Sequence, residues 1–148
     1  MGAHLTLDDT HTYIAGQAGT VDLAIGIETL LRRGLGEFPP SEVALENAIA
    51  DVEDALMPQI AALRGQPLDA LNYAGPQQQA LRTALGRQDV YSLSLEQVEQ
   101  VFNQLVAVVE GLPAHQQDIA EDPGFVATLV IIRELMHHTG YQRLQLVH

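Results

Sequence analysis

The stretch DPGFVATLVIIRELMHHTG, Asp122 to Gly140, carries the strongest helix signals in the chain. Asp122 is a favourable N-cap, and Pro123 suits the first helical position because its missing N–H is not needed there. Gly140 suits the left-handed position that ends a helix. At about 100° per residue, the first two-thirds of the stretch is apolar on all sides, which is typical of a helix enclosed by its neighbours. The sequence therefore predicts a buried helix here.

Capping residues and apolar spacing predict four further helices. They cover residues 20–33, 41–63 with a kink before Pro58, 76–85, and 94–110. The last of them begins with a capping box, in which Ser94 and Gln97 satisfy each other's backbone N–H groups. Residues 65–75 are predicted to form a loop because Gly and Pro interrupt them.

The two ends of the chain are less regular. Residues 3–15 alternate weakly like a strand, or form an extended arm that packs on the helices. Residues 141–148 form either a last strand that pairs with this arm or a frayed helical tail. We therefore predict an all-α fold, a compact bundle of about five helices with an irregular or weakly strand-like N-terminal arm, in a single domain of residues 1–148. The alternative is an α+β fold with a small terminal strand pair.

The charge balance restricts the possible partners. The 148 residues carry a formal charge of −12, and all seven positive residues are Arg. Such a surface repels phosphate backbones and anionic membranes, so we expect no nucleic-acid partner and no membrane partner. A basic protein or a cation is electrostatically easier to bind.

The residue types that are missing exclude many reactions. The chain has no Cys, which excludes disulfides, thiolate nucleophiles and cysteine-ligated metals. It has no Lys, no nucleophile-elbow motif and no phosphate-binding glycine loop. The N-terminus shows no secretory signal, so a cytoplasmic location is predicted.

One helical cluster has the spacing of a metal site. Glu134 and His137 lie three residues apart, and His138 is adjacent, so a carboxylate and an imidazole share one helical surface. Zinc, iron or manganese would suit this pair, with further carboxylates available from the acidic helix faces at Glu28, Glu46, Glu53 and Glu110. The competing interpretation is that the two histidines complement the partial negative charge of the helix C-terminus, with no cofactor bound.

Two other polar groups have a competing structural explanation. His4 and His11 flank Asp8 and Asp9, and this set would suit a divalent metal such as zinc, although polar residues also collect near termini for solubility. The adjacent Arg32 and Arg33 would bind a carboxylate or phosphate in bidentate fashion, or complement the end of a helix.

No complete catalytic set emerges from these residues. We therefore predict a non-catalytic acidic interaction, accessory or regulatory protein that self-associates as a homodimer or binds a protein partner. The apolar content motivates this prediction, because it exceeds what a small helical bundle would enclose. The alternative is a metal-binding helical protein or metal-dependent enzyme that uses Glu134, His137 and His138, joined by His4 or His11.

Overall fold

A six-stranded sheet forms the centre of the computed structural model, which describes residues 2–17, 19–64 and 70–147. The strands are β1 (Ala3–Leu7), β2 (Thr12–Gly16), β3 (Gly19–Leu23), β4 (Leu71–Tyr73), β5 (Ser92–Ser94) and β6 (Arg143–Leu146). Their order across the sheet is β3-β2-β1-β4-β6-β5. The fold is therefore α/β, and the prediction of an all-α bundle is wrong.

Six α-helices accompany the sheet in the described part of the chain. They are α1 (Ile27–Leu30), α2 (Glu42–Leu56), α3 (Ile60–Arg64), α4 (Gln78–Leu85), α5 (Leu95–Val109) and α6 (Pro123–Thr139). A π-helical turn, Leu31–Leu35, continues α1, and a 3-10 turn, Met57–Gln59, joins α2 to α3 at the predicted kink. Among the described residues, no helix is both long and apolar enough to cross a membrane.

The first three strands form an antiparallel meander. Ile14 of β2 lies opposite Leu5 of β1 and Val21 of β3, and all three side chains are buried. Val21 and Leu23 alternate with exposed neighbours, which is the burial pattern of a strand. The helix predicted from residue 20 is therefore wrong at its beginning, since α1 begins only at Ile27.

Two further parallel strands extend the sheet. β4 pairs in parallel with β1 on one side and with β6 on the other. The loop predicted over residues 65–75 is thus wrong at Leu71–Tyr73, while residues 65–69 lie outside the described part. A terminal strand pair is also wrong, because β4 separates β6 from β1. These pairings join residues that are about 70 positions apart, so local spacing did not reveal them.

The helix α6 agrees with the prediction for its sequence. The Asp122 carboxylate accepts a hydrogen bond from the Gly124 N–H at 2.9 Å, and Gly140 has a φ of +91°. The capping box at Ser94 is likewise confirmed at the start of α5. Helices α1, α2, α3 and α5 contact α6, and its apolar side chains join the same core as the buried face of the sheet. The sheet and the helices together bury these apolar side chains in one core.

Strand direction defines two edges of the sheet that matter for function. Because β1, β4 and β6 are parallel, their carboxyl ends lie at one edge. Asp8 follows β1 directly at this edge. His138, at the end of α6, lies close to the amino end of β6 and therefore at the opposite edge. The two polar clusters considered below belong to these two different edges.

Candidate functional site

The tight turn between β1 and β2 is organised by one carboxylate. Oδ1 of Asp8 accepts hydrogen bonds from the backbone N–H of His11 at 2.7 Å and of Thr10 at 2.9 Å. These bonds favour the ionised carboxylate and lower the pKa of Asp8, the bond from His11 contributing most. Nδ1 of His11 lies 2.9 Å from the Thr10 hydroxyl. His11 therefore belongs to the turn.

The turn is docked on the beginning of α1. The carbonyl of Asp8 accepts from Ile27 N–H at 3.0 Å, and that of Asp9 accepts from Thr29 N–H at 3.2 Å. Gly26 makes this approach possible, since a Cβ at that position would lie 2.5 Å from the Asp8 carbonyl oxygen. Two of the N–H groups at the start of α1, which have no partner within the helix, are thereby satisfied. The turn and the helix form one structural unit.

A cavity of about 390 Å³ opens beside this unit at the carboxyl edge of the sheet. It is lined by Asp9, Thr10, Glu28, Thr29, Arg32 and Arg33. Nε of Arg32 lies 3.3 Å from Oε1 of Glu28, and Nη1 of Arg33 lies 3.6 Å from Oδ2 of Asp51. Arg32 is 79% exposed, so its remaining donors face solvent. The cavity thus combines two guanidinium groups, two hydroxyls and carboxylates.

Three potential metal ligands meet at the opposite edge of the sheet. Nε2 of His138 lies 3.0 Å from Oε2 of Glu53 on α2 and 3.3 Å from Oε1 of Glu134 on α6. The three donor atoms lie within 4.8 Å of one another. Glu134 is only 1% exposed, whereas His138 is 23% exposed. The cluster therefore has a buried base and a side that solvent can reach.

Arg133 fixes the second oxygen of the buried carboxylate. Its Nη1 donates to Oε2 of Glu134, and its Nε donates to both carboxylate oxygens of Glu99 at 3.1 and 3.2 Å. Burial lowers the pKa of Arg133, but the hydrogen bonds to Glu134 and Glu99 outweigh burial and raise it. The guanidinium also lies over the Phe102 ring, 4.6 Å from its centroid. Glu134 is held in one orientation as a result.

The structure brings together only some of the residues that the sequence suggested. Glu134 and His138 meet, whereas His137 lies beside Glu99, with Nδ1 3.7 Å from its Oε1. His4 is on the exposed face of β1, and His11 is in the turn at the other edge. Among the described residues, the group of three that satisfies the geometry of a metal site includes neither of them.

Glu53 is the ligand candidate that sequence spacing could not select. It is one of several carboxylates on the outer face of α2, and nothing in its local sequence distinguishes it from Glu46. Only the packing of α2 against α6 brings it to His138.

Comparisons with known proteins support the fold. No family model and no curated protein matches the sequence. A solved exopolyphosphatase-like protein is similar at 17% identity and a TM-score of 0.66, covering 93% of this chain and 49% of its own. A Ppx/GppA family member from Aquifex aeolicus is similar at 14% identity and a TM-score of 0.64. The alignment covers 97% of this chain and 51% of that protein. The type II variant of the Aquifex aeolicus Ppx/GppA phosphatase is similar at 15% identity and a TM-score of 0.68. The alignment covers 97% of this chain and 52% of that protein.

These similarities concern the fold, and the chain spans about half of the length of the solved structures. They contradict the prediction of a non-catalytic helical interaction protein, because that prediction depended on an all-α bundle, and the structures that share this fold are phosphatase-family proteins. The enzyme that the sequence offered as an alternative agrees better with them, and its dependence on a metal stays a prediction.

Proposed function

We propose that this chain is a phosphate-binding domain of a phosphohydrolase that acts on polyphosphate or related phosphate esters in the cytoplasm. The observation that carries the proposal is the cavity at the carboxyl edge of the sheet, where Arg32 and Arg33 face the turn after β1. Ligands of open α/β sheets bind outside the carboxyl ends of the strands. The similar solved structures, an exopolyphosphatase-like protein and Ppx/GppA phosphatases, support the same substrate class.

The residues of the cavity suit the chemistry of phosphoryl transfer. Guanidinium groups bind phosphate oxygens through paired, charge-assisted hydrogen bonds. The Thr29 hydroxyl donates to the Asp9 carbonyl at 3.4 Å, so the two guanidinium groups are the main donors to a bound phosphate. Transfer of a phosphoryl group to water depends on positioning and on stabilisation of the oxygen charges. In this proposal Arg32 and Arg33 hold the terminal phosphate, while the Asp9 carboxylate orients the attacking water.

A divalent cation is part of the proposal. The chain carries a charge of −12 and would repel a polyanionic substrate unless cations accompany it. Asp9 and Glu28 line the cavity and are hard oxygen donors of the kind that Mg²⁺ prefers. When bound there, Mg²⁺ would neutralise charge on the transferred phosphate. We therefore expect hydrolysis to require Mg²⁺.

The proposal is tested by phosphate release from polyphosphate with Mg²⁺, together with calorimetric binding of the same polyphosphate. Arg32→Gln removes a charge-assisted contact, which is worth about 1.5–3 kcal/mol and so lowers kcat/KM or affinity roughly tenfold to hundredfold. Arg87→Gln is the matched control, because Arg87 is exposed and is not among the residues lining the cavity. A wild-type chain that neither binds nor hydrolyses polyphosphate would contradict the proposal, as would equal effects of the two substitutions.

A further inference from the structure

The cluster at the amino edge of the sheet has more negative charge than its hydrogen bonds can satisfy. Oxygens of Glu53 and Glu134 both approach the same nitrogen, Nε2 of His138, at 3.0 and 3.3 Å. A ring nitrogen carries at most one hydrogen. One hydrogen shared between two carboxylates satisfies neither fully, and such a deficit is costly for the buried Glu134.

Two guanidinium groups contact the cluster, but neither bonds to the carboxylate oxygens that approach Nε2 of His138. Arg133 donates to the opposite oxygen of Glu134, Oε2, and to Glu99. Arg64, at the end of α3, donates to the backbone carbonyl of His138 at 2.9 Å. Both guanidinium groups therefore hold the cluster in shape from outside. The three donor atoms of Glu53, Glu134 and His138 therefore face one another, and neither guanidinium group lies between them.

From this geometry we infer that Glu53, Glu134 and His138 form a binding site for a divalent transition-metal ion, with Zn²⁺ as the preferred ion. Bonds of about 2.0–2.2 Å to a tetrahedral zinc place neighbouring donor atoms about 3.3–3.5 Å apart. The two separations from Nε2 of His138, 3.0 and 3.3 Å, are close to that range, and the two carboxylate oxygens lie within 4.8 Å of each other. One imidazole with two carboxylates is a donor set that zinc accepts readily.

The surroundings resemble those of a bound metal. Glu134 is buried and its second oxygen is held by Arg133, which leaves Oε1 free to act as a monodentate ligand. Ligands of metal sites are usually oriented by such outer hydrogen bonds. Glu53 is 38% exposed and His138 is 23% exposed, so an ion can enter from the solvent side. Three protein ligands leave a fourth position for water or another small ligand.

None of the three ligand candidates lines the Arg32 and Arg33 cavity, so this inference does not depend on the proposed function. Its consequence is structural as well as chemical. An ion bound there would connect α2, which contributes Glu53, to α6, which contributes the other two ligands. Binding to the folded state alone would then raise the midpoint of thermal unfolding.

The inference is tested by calorimetric titration of the untagged protein with Zn²⁺ and by thermal unfolding with and without the ion. One ion per chain and a higher midpoint are expected. Glu53→Gln and His138→Gln each remove a ligand and should weaken affinity at least tenfold, with circular dichroism confirming that both variants fold. Since Glu53 is on the solvent side of α2, its substitution leaves the core intact.

The matched control is His137→Gln, because His137 is adjacent to His138 but lies beside Glu99. It should keep its affinity for Zn²⁺ within about twofold. A wild-type protein without stoichiometric binding would overturn the inference, and so would uptake that survives His138→Gln or falls equally in His137→Gln. Polyphosphate binding is measured on the same variants and should be unchanged, which separates this inference from the phosphohydrolase proposal.

Discussion

Thr12 is a fully buried polar residue at the start of β2, and its hydroxyl donates to the Ile25 carbonyl at 2.8 Å. Thr12→Val has almost the same shape but leaves this buried carbonyl without its donor. We expect the free energy of unfolding to fall by about 1–3 kcal/mol. Urea unfolding followed by circular dichroism measures the change.

The control for this substitution is Thr6→Val on the neighbouring strand, where the side chain is exposed. Surface substitutions of this kind usually stay within about 0.5 kcal/mol. If Thr12→Val proved as mild as Thr6→Val, the bond to the Ile25 carbonyl would have no net value for stability.

The two histidines at the end of α6 show what the spacing of residues along a helix can and cannot predict. The sequence paired Glu134 with His137, three residues away, and treated His138 as a neighbour. In the structure it is His138, four residues away, whose ring meets Glu134, while His137 faces Glu99 on α5. Both spacings place side chains on one helical surface. The choice between them depends on which neighbouring helix each histidine faces.

Among the elements, the beginning of the first predicted helix is the instructive error. Leu23, Ile27, Leu30 and Leu31 have helical spacing, and Thr20 resembles an N-cap. The segment Val21 to Leu23 nevertheless forms a strand, because it pairs with β2 and buries alternate side chains. A short apolar segment fits both the helical period of about 3.6 residues and the strand period of two. The pairing with a neighbouring strand decides which structure forms.

The β1–β2 turn should respond to acid through Asp8. Its pKa is lowered in the folded protein from an ordinary value of 3.8. The ionised carboxylate therefore adds stability above that value, and this contribution is lost as the pH falls through 3.8 towards the lower folded pKa. Asp8→Asn should lower stability at pH 7 and make the free energy of unfolding fall less steeply between about pH 5 and pH 3.

Urea unfolding of wild type and variant across that pH range checks this prediction. Asp9→Asn, in the same turn, is the control and should keep the wild-type slope, since the N–H groups of Thr10 and His11 bond to Asp8. Identical slopes for Asp8→Asn and wild type would show that the turn does not depend on the charge.

For the whole molecule, the charge of −12 should make stability dependent on salt. Repulsion among like charges destabilises a compact state, and added salt screens it over about 10 Å at 0.1 M. Raising NaCl from about 0.01 M to 0.5 M should stabilise the fold by about 1 kcal/mol, or about 2–4 °C in Tm.

Differential scanning calorimetry at neutral pH measures this shift. The same series near the isoelectric point, pH 4.6, is the control, because the net charge there is close to zero and the salt effect should nearly vanish. A Tm that falls with salt at neutral pH would mean that attractive ion pairs outweigh the net repulsion.

The sequence by itself determined the local elements with strong signals. It located α6 with both of its ends, α5 with its capping box, and the break at Pro58. Capping and helical periodicity arise within a few residues of chain, so they can be recognised without knowing the fold. The charge and the residue types that are absent were equally evident.

Only the tertiary structure decided how the strands pair and which residues meet in the two polar clusters. The weak alternation of residues 3–15 and the possible strand in 141–148 did not reveal the partners of β1 and β6, and β4 was predicted to be a loop. The three strands pair through residues such as Leu5 with Tyr73 and Tyr73 with Leu146. Glu53 likewise reaches His138, and the turn after β1 reaches α1, through packing between distant segments. Interactions of this kind leave no periodic trace in the sequence, because their energy depends on the partner and not on the neighbouring residues.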